Sequence, residues 1–263
     1  MNNFISWVQR VGRGVLDGTR DFGATWVFLA QVVARAFTPP FNLNLIFQQL
    51  NAIGVQSIAV VSLVGIFTGA VLAVQGEYTL SKFGATAYTG SAVALSLIRE
   101  LGPVLTALMV NGRAGSAMTA ELGIMKITEQ VDALRSMAVD PMRYLMVPRI
   151  IAGVISVPLL TSIFNIVGIA GGYFIGVHNL GLASGTFISE MAHAVKDVDV
   201  ISGLVKSIFF GLCFSWISCY KGWTCGFGAV GVNRATTSAV VTSSVVILVL
   251  DYFLTSIMTQ VFL

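Results

Sequence analysis

A chain of 263 residues that is 56% hydrophobic and only 10% charged falls far below the roughly 25% charge of soluble domains, and reads as an integral membrane protein. The net charge of +3 comes without a basic cluster or aromatic–basic interleaving, which argues against a nucleic-acid partner. Cys213, Cys219 and Cys225 have no CxxC spacing and no histidine pair beside them, so no metal site is expected.

Residues 1–40 are mixed. Ile5, Val8, Val11 (or Gly12) and Val15 recur at helical spacing, Trp7 and Trp26 are candidate interfacial anchors, and Arg10, Arg13, Arg20 and Arg35 are spread among them. The pattern of a cleavable signal peptide is missing. The uncharged run 22–34 is too short for the ~20 residues of a spanning helix. These features predict an amphipathic helix lying on the membrane surface, ended by Thr38-Pro39-Pro40; the alternative is a short or re-entrant span.

Residues 41–263 are predicted to form the membrane body, with about five transmembrane helices near 53–74, 91–110, 147–177, 201–220 and 239–260. In the first, Gly65 and Gly69 offer a small-residue face for helix packing. The third is long enough to require tilt. A short helix is expected near 187–195, and a glycine-rich loop over 221–234. Between spans two and three lies a helix-forming interlude, 113–146. Its Asn111-Gly112-Arg113 start reads as a tight exit from span two. Ile124, Ile127, Val131, Leu134 and Ala138 make one helical stripe, and Asp140-Pro141 reads as an N-cap followed by proline at the first helical position. The N-terminal segment, the stretch from Arg113 to Arg149 and the loop after span four carry eleven Lys and Arg, against one in each opposite loop. The positive-inside rule therefore makes the N-terminus and the interlude cytoplasmic and the C-terminus periplasmic.

Four ionisable residues fall inside spans: Arg99, Glu100, Lys206 and Asp251. At ~1.5 Å per residue they lie roughly 9–14 Å below the outer ends of their helices. Two cations and two anions at one height predict a neutral buried network. It either pins spans two, four and five together or closes a cavity.

The central stretch resembles the signature of the MlaE (YrbE-type) permeases. The residues that carry the resemblance are Glu100-Leu101-Gly102-Pro103, Gly112 to Ala117, Thr119-Ala120-Glu121, Thr128-Glu129-Gln130, Ala138 to Pro141, Pro148-Arg149 and Ala152 to Ser156. It continues through Ser207, Trp216-Ile217-Ser218 and Arg234 to Thr237, and covers nearly everything after Asn51. It implies an all-α MlaE-type permease fold, with 1–40 as an elbow helix and 41–263 as the permease domain. It further implies the membrane subunit of an ABC transporter that moves phospholipids between inner and outer membranes and maintains outer-membrane lipid asymmetry. The implied partners are a second copy of the chain, an ABC ATPase subunit, a periplasmic MCE-domain protein and a STAS-domain regulator, in a bacterial inner membrane. On this resemblance the interlude is a coupling segment that docks the ATPase through Glu121, Lys126, Thr128, Glu129, Gln130, Asp132 and Arg135. Val71, Leu72, Gln75, Tyr78, Leu80, Phe83 and Leu95 are the corresponding candidates for the lipid pocket, although an apolar stripe is more often plain packing.

The chain has no GxxxxGK[ST] motif, so it is expected to bind no cofactor itself, with ATP and magnesium held by the partner. A proton-coupled secondary transporter using Glu100 and Asp251 is the alternative. Against it, each carboxylate has a cation at its own depth, and an odd number of spans does not divide into inverted repeats. No Ser-His-Asp or HExxH pattern supports an enzyme.

Overall fold

The computed structural model describes residues 19–20, 23–36 and 43–262, and among these there is no strand. The expected repeat over Ile5–Val15, the anchor Trp7, Arg10, Arg13 and the Thr38-Pro39-Pro40 stop lie outside the described residues. Among the described residues, five helical runs are long and apolar enough to cross a membrane: Leu43–Ser81, Thr86–Ile127, Met142–His178, Asp197–Trp223 and Gly228–Gln260. The protein is an all-α, multi-pass membrane protein.

The helices are α1 (residues 23–36), α2 (Leu43–Ile53), α3 (Ile58–Ser81), α4 (Thr89–Ser96), α5 (Gly102–Val110), α6 (Ser116–Ile127), α7 (Gln130–Ser136), α8 (Val147–His178), α9 (Ser184–Ala194), α10 (Asp197–Trp223) and α11 (Gly228–Phe262). Helix α8 is central, lying against α2, α3, α5 and α10, while α11 leans on α10 and α6. The core runs through Leu97, Ala107, Val110, Leu160, Phe164, Phe210 and Phe214. The α3–α8 contact is backbone on backbone. A Cβ on Gly69 would collide with the Gly168 carbonyl, and one on Gly171 would come within 2.5 Å of the Ile66 carbonyl oxygen. Glycine is required there because only it lets the two axes approach this closely.

A second cluster closes the end of the bundle that carries α7. Phe28 and Val32 of α1 pack there with Leu122, Val131, Met146, Ile150, Trp216 and Tyr220. Trp26, half exposed, sets its ring 4.8 Å from that of Trp216, whose Nε1 donates to the Thr25 carbonyl at 3.0 Å. Arg35 reaches Asp140 at 2.6 Å. Thus α1 is strapped to the bundle by contacts that a single helical periodicity does not reveal.

Several expected boundaries move. The first spanning helix runs on to Ser81, which puts Gln75, Glu77 and Tyr78 on helix α3 rather than in a loop. The sequence Asn111–Gly115 is a π-helical turn joining α5 to α6, so the chain runs on as helix there. Two such turns, Leu97–Leu101 and Asn111–Gly115, keep the run helical despite its glycines. The predicted stripe from Ile124 to Ala138 is broken. Glu129 adopts φ 58° and starts α7 on a new axis, and Ala138 adopts φ 58° at its other end. The loop expected over 221–234 shrinks to residues 224–227. Asp140 does cap, its Oδ1 accepting from the Met142 amide at 3.0 Å.

Ala138 is exposed and left-handed, a conformation that costs an L-residue roughly 1–2 kcal/mol relative to glycine. Ala138→Gly is therefore expected to raise unfolding stability by about 1 kcal/mol, read as a higher thermal midpoint in detergent.

Candidate functional site

Three groups of side chains are set along the bundle. The first is the α6–α7 corner. Val131 seats α7 by turning into the second cluster, and this leaves Thr128, Glu129, Gln130, Asp132 and Arg135 exposed. Arg135 pairs with Asp132 at 3.0 Å and stacks 5.7 Å from the Trp223 ring centroid. The other two predicted coupling residues are tied to the bundle, Lys126 half-buried and Glu121 still exposed. Lys126 Nζ donates to the Cys225 carbonyl at 2.9 Å, tying α6 to the α10–α11 loop. Glu121 accepts from Arg149 Nη2 at 3.1 Å. Arg149, read from sequence as one more loop cation, is buried at 4% exposure and also donates to the Leu145 carbonyl.

The second group is the charged cluster between α10, α11 and the π-turn Leu97–Leu101. Lys206 is 1% exposed, and its ammonium spends all three protons. It donates to the Arg99 carbonyl at 3.0 Å, Glu100 Oε2 at 2.6 Å and Thr255 Oγ1 at 2.8 Å. Asp251 lies 3.4 Å from the same nitrogen. Three of the four predicted residues therefore converge. Arg99 does not: only its carbonyl joins the cluster, and its guanidinium points to Asp199, 3.6 Å away. The cause is local, since Arg99 and Glu100 are neighbours on one helical turn and leave in different directions. Asp199 is held at the start of α10, where its Oδ2 accepts from the Lys196 amide. Sequence reading missed Thr255, although it lies four residues after Asp251, on the same helix face.

The third group is an apolar groove of about 490 Å³ between α3 and α8, lined by Phe67, Val71, Val74, Gln75, Tyr78 and Ile175. Of the seven predicted lipid-pocket residues, Val71, Gln75 and Tyr78 line it. Leu72 packs against the core instead, Phe83 stands exposed beyond the end of α3, and Leu80 is not part of the lining. Leu95 belongs to a separate polar pocket of about 380 Å³, with Arg99, Lys196, Asp199 and Ser202.

An exposed polar corner at one end and an apolar groove toward the other suit a membrane protein that takes force from a soluble partner and handles an amphipathic molecule. Comparison with known proteins points the same way. The family model "Permease MlaE" matches residues 46–257. The chain is 45% identical over 251 residues to a probable ABC transporter permease protein of Rickettsia felis, covering 95% of this chain and 97% of that one. It is 42% identical over 255 residues to the intermembrane phospholipid transport system permease protein MlaE of Haemophilus influenzae, covering 97% and 98%. It is also 36% identical over 234 residues to the chloroplastic protein TRIGALACTOSYLDIACYLGLYCEROL 1 of Arabidopsis thaliana, covering 89% and 67%.

Proposed function

This chain belongs to the MlaE permease family, and on that premise we propose that it is the membrane subunit of an ABC transporter that moves phospholipids between the inner and outer membranes and so maintains outer-membrane lipid asymmetry. It works as a homodimer, because an ABC transporter needs two membrane halves and this chain supplies one. It sits in a bacterial inner membrane with the α7 end and the N-terminus cytoplasmic and the C-terminus periplasmic, as the Lys and Arg distribution favours. A separate ATPase subunit holds ATP and magnesium and docks on the α6–α7 corner. An MCE-domain protein receives or delivers lipid on the periplasmic side, and a STAS-domain regulator acts on the ATPase.

The observation that best supports this reading is the corner itself. The α6–α7 corner is anchored by Val131 and presents Thr128, Glu129, Gln130, Asp132 and Arg135 outward, a polar face on a packed base. Force applied there passes directly into α6, which continues into the second span. Glu100 and Asp251 both lie on Lys206, which gives them a structural partner and leaves the proton-coupled alternative without a free carrier.

The test is Glu129→Lys in the complex reconstituted with its ATPase. Reversing one rim charge against a complementary partner surface is expected to lower phospholipid transfer per ATP by at least about tenfold, while the chain still inserts and dimerises. Unchanged transfer would remove the docking assignment. A wild-type complex that hydrolyses ATP and moves no phospholipid would remove the transport assignment.

A further inference from the structure

The π-turn Asn111–Gly115 touches three other spans. Asn111 Nδ2 donates to the Val240 carbonyl and Ser244 Oγ of α11, at 3.0 and 3.1 Å. Gly115 lies so close to α10 that a Cβ there would meet Ser218 Oγ at 2.9 Å. Arg113 reaches toward the joint between α2 and α3. Its Nη1 donates to the Ala52 carbonyl at 3.0 Å and Ser57 Oγ at 2.9 Å, and its Nη2 donates to Gln56 Oε1 at 2.5 Å. Ser57 Oγ donates onward to the Ile53 carbonyl at 2.6 Å. One guanidinium therefore holds the last turn of α2, the 3₁₀ turn Val55–Ser57 and the N-cap of α3. The planar fork of arginine suits three spread acceptors, where a lysine would offer a single point.

Helix α3 is 24 residues long, about 36 Å. It carries Arg113's acceptors at one end and Val71, Gln75 and Tyr78 of the apolar groove toward the other. Along its middle it meets α8 through Gly65, Gly69, Gly168, Gly171 and Gly172, main chain on main chain. Interdigitated side chains resist sliding, because each must leave its hole; a seam of glycines has none to disengage. Shear of packed helices by about 1–2 Å is an established mode of conformational change.

We propose that Arg113 is the positioning residue that ties α3 to the docking end of the molecule. Movement imposed on α7 and α6 passes through the π-turn and the Arg113 clasp into α3. Helix α3 then shifts along its glycine seam on α8 and reshapes the groove. The proposal rests on the functional reading above, and it assigns the α2–α3 joint as the point where motor movement enters the lipid-handling helix.

The test uses the reconstituted complex with Cys213, Cys219 and Cys225 replaced by alanine and nitroxide labels at Phe83→Cys and Ile166→Cys, both exposed positions. Their separation is measured by pulsed electron resonance with the ATPase nucleotide-free and with it trapped by ATP and vanadate. In the otherwise unchanged chain the distance is expected to shift by about 2 Å, the scale of helix shear. Arg113→Gln is expected to abolish the shift while the ATPase still turns over, and Arg113→Lys to restore part of it. Gln56→Ala with Ser57→Ala should reproduce the loss, and adding Arg113→Gln should deepen it no further, as one shared interaction requires. If Arg113→Gln fails to assemble, the acceptor pair decides. An unchanged shift in these variants, or no shift in the parent, overturns the proposal. The distance reads α3 without lipid transfer, so failure of the transport reading shows separately, as a parent complex that shifts yet moves no phospholipid.

Discussion

Lys206→Met should lower the stability of the membrane body by about 3 kcal/mol, the loss expected when one member of a buried ion pair is removed. The exchange leaves the Glu100 and Asp251 carboxylates without the cation they share, with only the Thr255 hydroxyl left to donate to Glu100. The figure belongs at the low end of the range because Glu100 keeps 39% of its side chain exposed. Denaturant or thermal unfolding of the purified chain reads the loss. The neutral triple variant Lys206→Met/Glu100→Gln/Asp251→Asn should recover most of it, since it is an unpaired charge, rather than a missing pair, that is expensive in a low-dielectric setting. Lipid transfer by that triple variant then separates two roles for the cluster. Full recovery means that it braces α10, α11 and the π-turn, and stable protein without transfer means that the charges take part in opening the path.

The second large effect is steric. Gly69→Ala forces a methyl group into the Gly168 carbonyl, and neither side of that contact is a movable side chain. The helices must separate, with a cost of about 3 kcal/mol, at the upper end for an overpacked core. Gly112→Ala is the control. No atom lies within 4 Å of the position a Cβ would take there, and the residue is helical, so the exchange should be neutral or stabilise by up to about 1 kcal/mol. Unfolding of the two variants side by side distinguishes a specific seam from a general intolerance of change at glycine. If both are neutral, the close α3–α8 approach is not what holds the pair.

The parts of this architecture that were legible in the sequence are those governed by one-dimensional patterns. Apolar runs of spanning length gave five membrane helices, and Asp140-Pro141 gave a cap. Charges inside spans gave the convergence of Glu100, Lys206 and Asp251, because a buried charge has few ways to be satisfied. What depends on direction within a turn was not legible. Arg99 follows its neighbour in sequence but leaves the helix toward Asp199. Lys126 looks like a free solvent-facing charge, yet it folds back onto the Cys225 carbonyl, and the exposed Glu121 accepts from the buried Arg149. The stripe from Ile124 to Ala138 assumed a continuous helix and missed the left-handed Glu129, since nothing in a glutamate advertises positive φ. Glycine was a poor guide: nothing about Gly112 and Gly115 announced that a π-turn carries the helix on, and nothing in the pattern marked Gly168 as the closest packing contact with α3.

The strap formed by α1 bears on how the protein is made. Its partners arrive late in synthesis: Asp140 follows Arg35 by 105 residues and Trp216 follows Thr25 by 191. At the ~5–20 residues per second of translation, Trp216 appears roughly 10–40 s after Thr25. During that interval Phe28 and Val32 have none of the α10 surface they later bury against. Helix α1 is therefore seated only after α8 and α10 have been made, and its closure over them reports that those two spans have reached their place.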